Sequence, residues 1–278
     1  STEDLVGINT TGYVEKVDVR LVELLAAVQD SSGRPVLGLG KEEFKVLEDG
    51  REQSLLRFEP VKDLPLHVVI AVDTSASMAK SLGEVQKAAA SFLERTLTPK
   101  DRAAIVTFSD NPVLKVPFTN DLQVLTGGLA GLVAEHGTAL FDSVVFALTY
   151  MKGASGQPAL LVFTDGGDHV SHLSFKEALE FARRSGIAVY TVGVLVPRLD
   201  LEERGWLCKL AGETGGRCFF VDSGAALDGI YRTVEEELRS RYLLAYQPRN
   251  APQEGEFRTV EVKAGSGREV KTIRGYYP

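Results

Sequence analysis

Four short runs of this chain carry no formal charge: His67–Val72, Ala103–Phe108, Ala159–Phe163 and Ile187–Val194. Unbroken apolar runs of strand length mark strands covered on both faces, whereas a sheet with one wet face alternates. Helical periodicity fills the gaps between them. Leu82–Leu97 brings Val85, Ala88, Ala89, Phe92 and Leu93 to one face, and Leu122–Val133, Leu140–Met151 and Phe175–Arg184 read as further helices. Gly127-Gly128 weakens the second of these, and Val113–Val116 is a short edge strand. Leu201–Ala211, Arg217–Val221 and Ala225–Arg239 complete the alternation. Strands alternating with helices predict an α/β fold with a doubly wound, mostly parallel sheet.

Both flanks have a different texture. Val17, Val19 and Leu21 alternate with their neighbours, Asp30-Ser31-Ser32-Gly33 is a turn signal, and Phe44–Leu47 and Ser54–Phe58 flank Glu48-Asp49-Gly50-Arg51. Asp-Gly there favours a two-residue hairpin. At the other end Tyr242–Tyr246, Arg258–Val262 and Glu269–Ile273 are short strands. A few short strands bury little apolar surface alone. The expectation is one small antiparallel β domain built from both termini, residues 1–62 plus 241–278, with the α/β unit, residues 63–240, inserted in it.

The chemistry lies where the apolar runs end. His67–Val72 leads into Asp73-Thr74-Ser75-Ala76-Ser77-Met78, and Ala159–Phe163 into Thr164-Asp165-Gly166-Gly167-Asp168. Between them His136-Gly137-Thr138-Ala139-Leu140 is a polar loop leading into a helix. Doubly wound sheets bind ligands beyond the carboxyl ends of strands, where strand order reverses. Asp73 and Asp165 bring two negative charges, which would neutralise a divalent ion, and the serine hydroxyls add oxygen donors without charge. Such a set suits a hard cation and leaves it open to an acidic ligand from elsewhere. Mg²⁺, which accepts one or two carboxylates and keeps waters, fits better than Ca²⁺.

Asp-x-Ser-x-Ser, the Gly-Thr loop and Thr-Asp-Gly, in that order on those elements, resemble the metal-ion-dependent adhesion site of von Willebrand factor type A domains. The resemblance covers roughly Leu64–Arg239. Phe44–Gly50, Gly137–Asp142, the Thr214-Gly215-Gly216 turn and the ending Phe257-Arg258 through Arg274-Gly275-Tyr276 also look like the bacterial subgroup of VWFA-related Acidobacterial domain proteins. The family resemblance implies a Rossmann-like fold and a metal, Mg²⁺ or else Mn²⁺ or Ca²⁺. Ser75, Ser77 and Thr138 would coordinate it through their hydroxyls, and Asp73 and Asp165 directly or through water. It further implies a protein partner that supplies an Asp or Glu carboxylate, and a secreted, periplasmic or cell-surface setting.

Blander roles stand beside these. Asp73 can cap a turn, and Thr138 can cap the helix that follows. Asp142 is either a support of the site or a solvated first-turn carboxylate. Asp168 reads as a turn or cap residue, and His169 and His172 as a solvent-facing loop pair rather than a zinc site. Asp110-Asn111-Pro112 reads as a turn. Cys208 and Cys218 are either two buried thiols or, if the protein is exported, a bridge from the helix before Thr214-Gly215-Gly216 to the strand after it.

Enzyme readings lack support. Ser75 has no Gly-x-Ser-x-Gly elbow, position 75 is not the second Asp of a phosphotransfer pair, and no phosphate-binding Gly-rich loop occurs. A formal charge of -7 argues against nucleic acid, and no apolar run reaches the length of a membrane span. The opening Ser1–Asp4 is polar, which leaves export undecided. Two functions fit: a binding module whose metal captures a partner carboxylate, or a structural or regulatory subunit whose metal makes an internal or oligomeric contact. Oligomeric state is not legible in the sequence.

Overall fold

The computed structural model describes residues 5–8, 14–17, 21–62, 64–223, 226–249 and 255–278. From the amino end these form β1 (Leu5–Ile8), β2 (Val14–Val17), β3 (Val22–Gln29), β4 (Phe44–Glu48), β5 (Arg51–Gln53) and β6 (Leu55–Pro60). Next come β7 (Leu66–Asp73), α1 (Leu82–Thr96), β8 (Arg102–Phe108), β9 (Pro112–Thr119), α2 (Leu122–Ala130), α3 (Leu140–Tyr150) and β10 (Gln157–Thr164). These lead into α4 (Phe175–Ser185), β11 (Ala188–Val194), α5 (Leu201–Glu213), β12 (Cys218–Val221) and α6 (Leu227–Arg239). The chain closes with β13 (Tyr242–Tyr246), β14 (Arg258–Ala264), β15 (Glu269–Lys271) and β16 (Gly275–Tyr276).

The four charge-free runs are the four central strands of a six-stranded sheet ordered β12-β11-β10-β7-β8-β9. Every pairing in it is parallel except β8 with β9. Both faces are covered. Val68, Ile70 and Val72 pack with α1, α2 and α6, while Val69 and Ala71 on the opposite face pack with α3, α4 and α5. Double coverage is why β7 shows no alternation. The chain leaves β7 for β8 and β9 on one side, then returns to β10 on the other. The reversal of strand order therefore falls between β7 and β10, and a crevice opens beyond their carboxyl ends.

The flanking segments form two four-stranded antiparallel sheets, β15-β3-β13-β6 and β16-β14-β4-β5. They share one core, to which Leu24, Ala26, Tyr242 and Leu244 contribute from the first sheet and Val46 and Val260 from the second. Tyr242 pairs with Pro60 on one side and Ala26 on the other, so the strands entering and leaving the α/β unit lie side by side. A buried polar knot sits at the junction. Glu237 of α6 accepts from Gln29 Nε2 at 2.8 Å and from the Tyr190 hydroxyl at 2.8 Å, and Arg241 donates to that hydroxyl at 2.6 Å.

Two expectations change. Asp49 and Gly50, at φ of 47° and 76°, make the two-residue turn, but it joins β4 to β5, with Glu48 opposite Arg51. The run Ser54–Phe58 crosses to the other sheet as β6 and pairs with β13. The helix expected over Leu122–Val133 ends at Ala130. Its Gly128 lies so close to β9 that a Cβ there would overlap Val116 Cγ2, which is why a poor helix former stands at that position. The alternation expected at Val17–Leu21 and the helix start at Ala225 fall in part outside the described residues, since 18–20 and 224–225 are not among them.

Candidate metal centre

β7 delivers Asp73 to the crevice as its last residue, fully buried. The next turn folds back on the carboxylate: Asp73 Oδ1 accepts the Ser75 N–H at 2.8 Å. Oδ2 accepts the Thr164 hydroxyl at 2.7 Å from the end of β10, across the strand reversal. Thr74 turns away and bonds Phe108 O through both its N–H and its hydroxyl, fixing the direction of the loop. Ser75 is buried, Ser77 is exposed, and their hydroxyl oxygens are 3.1 Å apart.

Main-chain bonds stitch the second loop to the first. Ala76 N–H donates to His136 O, and Glu135 N–H to Thr74 O at 2.8 Å. His136 sits at a φ of 67°, Gly137 N–H donates to Asp110 Oδ1 at 2.8 Å, and Ala139 N–H donates to Ser109 O at 2.7 Å. Thr138, buried between them, accepts the N–H groups of His169 and Val170 at its carbonyl, so the third loop is joined to the second. Asp165 is half-buried beside Asp73. Burial pushes the Asp73 carboxyl up to about 6 despite the Ser75 and Thr164 bonds, and the Asp165 charge adds to the rise. The structure thus brings Asp73, Ser75 and Ser77 into one hydrogen-bonded set, places Asp165 within electrostatic reach, and holds Thr138 through its main chain.

Other candidates take specific positions. Asp142 accepts the N–H groups of His172 and Leu173, each at 2.9 Å, and its Oδ2 is 3.0 Å from His172 Nδ1. Burial raises its carboxyl, but those bonds outweigh it and hold Asp142 below its ordinary value. It is the anchor of the third loop, not a solvated carboxylate. Asp168 accepts Phe141 N–H at 2.8 Å and the Ser171 hydroxyl at 2.6 Å, capping α3 from another loop. Two residues were given no role from sequence. Thr164 orients Asp73, and the residue type at the Thr-Asp-Gly turn is the only local signal for it. Asp110 holds the Gly137 N–H, which nothing in its Asp-Asn-Pro turn announces. Cys208 and Cys218 are joined, tying α5 to β12.

These donors can be tested against a divalent ion. They are all oxygen, with two carboxylates and uncharged hydroxyls. Adjacent ligands on an octahedral ion with metal–oxygen bonds of ~2.1 Å stand roughly 3 Å apart, which matches the Ser75–Ser77 spacing of 3.1 Å. A carboxylate buried as deeply as Asp73 gains most from a cation placed beside it. The residues fit a hard divalent cation.

A family model described as von Willebrand factor type A domain matches residues 67–233. A curated relative, a UPF0353 protein of Mycolicibacterium paratuberculosis, is 24% identical over 201 residues, 62% of this chain and 60% of the relative. The chain therefore spans less than two thirds of that relative's length. Among solved structures, proximal thread matrix protein 1 from the mussel byssus, with a zinc-occupied MIDAS motif, superposes with a TM-score of 0.56 at 16% identity, covering 69% of this chain and 49% of that one. The vWF domain of the type V pili tip protein Mfa5 from Porphyromonas gingivalis gives a TM-score of 0.52 at 14% identity, covering 62% of this chain and 95% of that one. At these identities the structural likeness speaks to the fold.

Proposed function

We propose, from the premise that this chain belongs to the von Willebrand factor type A domain family, that it is a divalent-metal-dependent protein-binding module. The observation that carries the reading is the buried Asp73 carboxylate beside two serine oxygens 3.1 Å apart, with Ser77 open to solvent. Asp73, Ser75, Ser77, Thr138 and Asp165 would hold Mg²⁺ or Mn²⁺, which would supply an electrophilic position suited to an Asp or Glu carboxylate of the partner. The site residues bind and orient: Thr164 aims Asp73, and the Ser75 hydroxyl bonds Ser77 rather than a histidine or lysine that could make it a nucleophile. Residues 63–240 form the binding unit, and residues 1–62 plus 241–278 its support. The Cys208–Cys218 bridge supports an oxidising, extracytoplasmic setting, and the name of the pilus-tip neighbour supports a place at the cell surface.

The test is calorimetric titration of Mg²⁺, Mn²⁺, Ca²⁺ and Zn²⁺ into the whole chain and into Asp73→Ala, followed by capture from the native secretome with and without chelator. Saturable binding lost in the variant, and a partner released by chelator, are expected. Titrations that stay flat for every ion would end the metal reading. Metal binding with no metal-dependent partner would return the site to an internal or oligomeric contact.

A further inference from the structure

The loop that follows β11 is unusual for its side chains. Leu195-Val196-Pro197-Arg198-Leu199-Asp200-Leu201 holds three leucines, and all three face water, Leu199 at 93% exposure, Leu201 at 78% and Leu195 at 46%. This is no slack tip. Leu195 N–H donates to Val221 O at 2.8 Å, Arg204 Nη1 donates to Val196 O at 3.2 Å, and Asp200 caps α5 through Glu203 N–H. Leu195 is held at a φ of 58°, a left-handed conformation that glycine would adopt freely and leucine rarely does. A hydrogen-bonded loop that holds one leucine in the left-handed region and two further leucines in solvent is a candidate contact surface.

Its position says what such a surface adjoins. Val196 Cγ2 of the loop and the Glu203 carboxylate of α5 lie 3.2 and 3.0 Å from where a Cβ on Gly166 would sit, so the loop and the start of α5 pack against the turn that carries Asp165. Val170, 41% exposed and farther along the loop that carries Asp165, lies 3.3 Å from the corresponding point on Gly137, next to Thr138. The loop that carries the exposed leucines therefore adjoins the Asp165 turn, and an exposed valine adjoins the Thr138 loop. A divalent ion balanced by two carboxylates favours an acidic group from the partner, and exposed leucines on the adjoining loop favour a hydrophobic group on the same segment.

Resting on the reading above, we propose that the partner segment is acidic and apolar together: one carboxylate reaches the metal while an aliphatic or aromatic side chain packs on Leu199 and Leu201. The leucine loop is then the specificity determinant of the metal-centred interface. Each leucine taken out of water on binding adds the free energy of its buried apolar area.

The experiment selects peptides from a random displayed library on the whole chain in Mg²⁺, eluting with chelator. The recovered peptides are synthesised and titrated into wild type, Asp73→Ala and the double variant L199S/L201S. The expected peptides pair Asp or Glu with Leu, Ile or Phe. Their affinity should vanish in chelator and fall roughly ten-fold or more in L199S/L201S, while Mg²⁺ raises the melting temperature of that variant as it does wild type. Metal-dependent peptides that bind L199S/L201S unchanged, or that show no apolar enrichment, would overturn the proposal and leave the metal reading standing. Peptides that bind in chelator and to Asp73→Ala would overturn the metal reading itself. Recovery of no metal-dependent peptide counts against the proposal. Self-association or vesicle binding that disappears in L199S/L201S, without such peptides, would reassign the loop to a second copy or to lipid and overturn it as well.

Discussion

Asp73→Asn should make the metal-free protein more stable at neutral pH. The Asp73 carboxyl stands at about 6 in the folded chain against an ordinary 3.8, because burial disfavours its charge. The folded state thus holds the proton more tightly than the unfolded state. At ~1.4 kcal/mol per pH unit, that interval is worth about 3 kcal/mol of stability, fully present below pH ~4 and lost as the pH rises through 6. Asparagine never ionises and loses nothing over that window. It also fits: its oxygen can accept the Ser75 N–H, and its amide faces the Thr164 hydroxyl, which accepts as readily as it donates. In chelator at neutral pH, Asp73→Asn should melt above wild type by roughly 6–12 °C, for ~2–4 °C per kcal/mol in a unit of this size. At pH ~4 the two should converge. Metal reverses the order, since a thousand-fold excess over Kd stabilises wild type by about 4 kcal/mol and leaves the variant unmoved. Scanning calorimetry over that pH range, with chelator and with Mg²⁺, reads all three limbs. A variant that melts below wild type in chelator at neutral pH, with no difference in pH slope, would show that Asp73 does not carry a buried charge cost and would refute the reasoning.

Two further predictions concern the scaffold. Reducing the Cys208–Cys218 bridge, which spans 10 residues, should cost roughly 2–3 kcal/mol on the chain-entropy account, read as a drop in melting temperature with reductant and as two newly alkylated thiols by intact mass. The adjacent glycines of α2 should respond with opposite signs to alanine. A Cβ on Gly127 meets open space, so Gly127→Ala should gain about 0.5–1 kcal/mol. One on Gly128 would overlap Val116, so Gly128→Ala should lose about 1–3 kcal/mol, and denaturant melts of the two variants decide it.

The parts of the molecule legible in the sequence are those whose cause is local. Double coverage leaves its mark within each strand, so β7, β8, β10 and β11 are plain as charge-free runs, and the loop donors Ser75 and Ser77 follow Asp73 within one turn. The roles that escaped are set by partners far along the chain. Thr164 reaches Asp73 across 91 residues and Asp142 anchors a loop 30 residues away, while Asp168, legible as a cap, serves a helix 27 residues away. Gly128 shows the same limit in reverse: its cost to α2 is visible locally, while the close approach of Val116 that requires it is not. The hairpin turn at Asp49-Gly50 was legible, but the short β5 hid the fact that the next run belongs to another sheet.

The side-by-side pairing of Tyr242 with Pro60 and Ala26 also has a mechanical meaning. Tension applied between Val22 and Tyr276 has a short path through the two antiparallel sheets, because the strands leading into and out of the α/β unit are paired at its base. The crevice beyond β7 and β10 is off the load path. Force on a partner held at the proposed metal centre would travel the other way, descending through the α/β unit and leaving by β6 and β13 at once, as two adjacent strands drawn from the same end. Loaded in that direction, the β6–β13 pair would be drawn away from β3 across the single β13–β3 ladder.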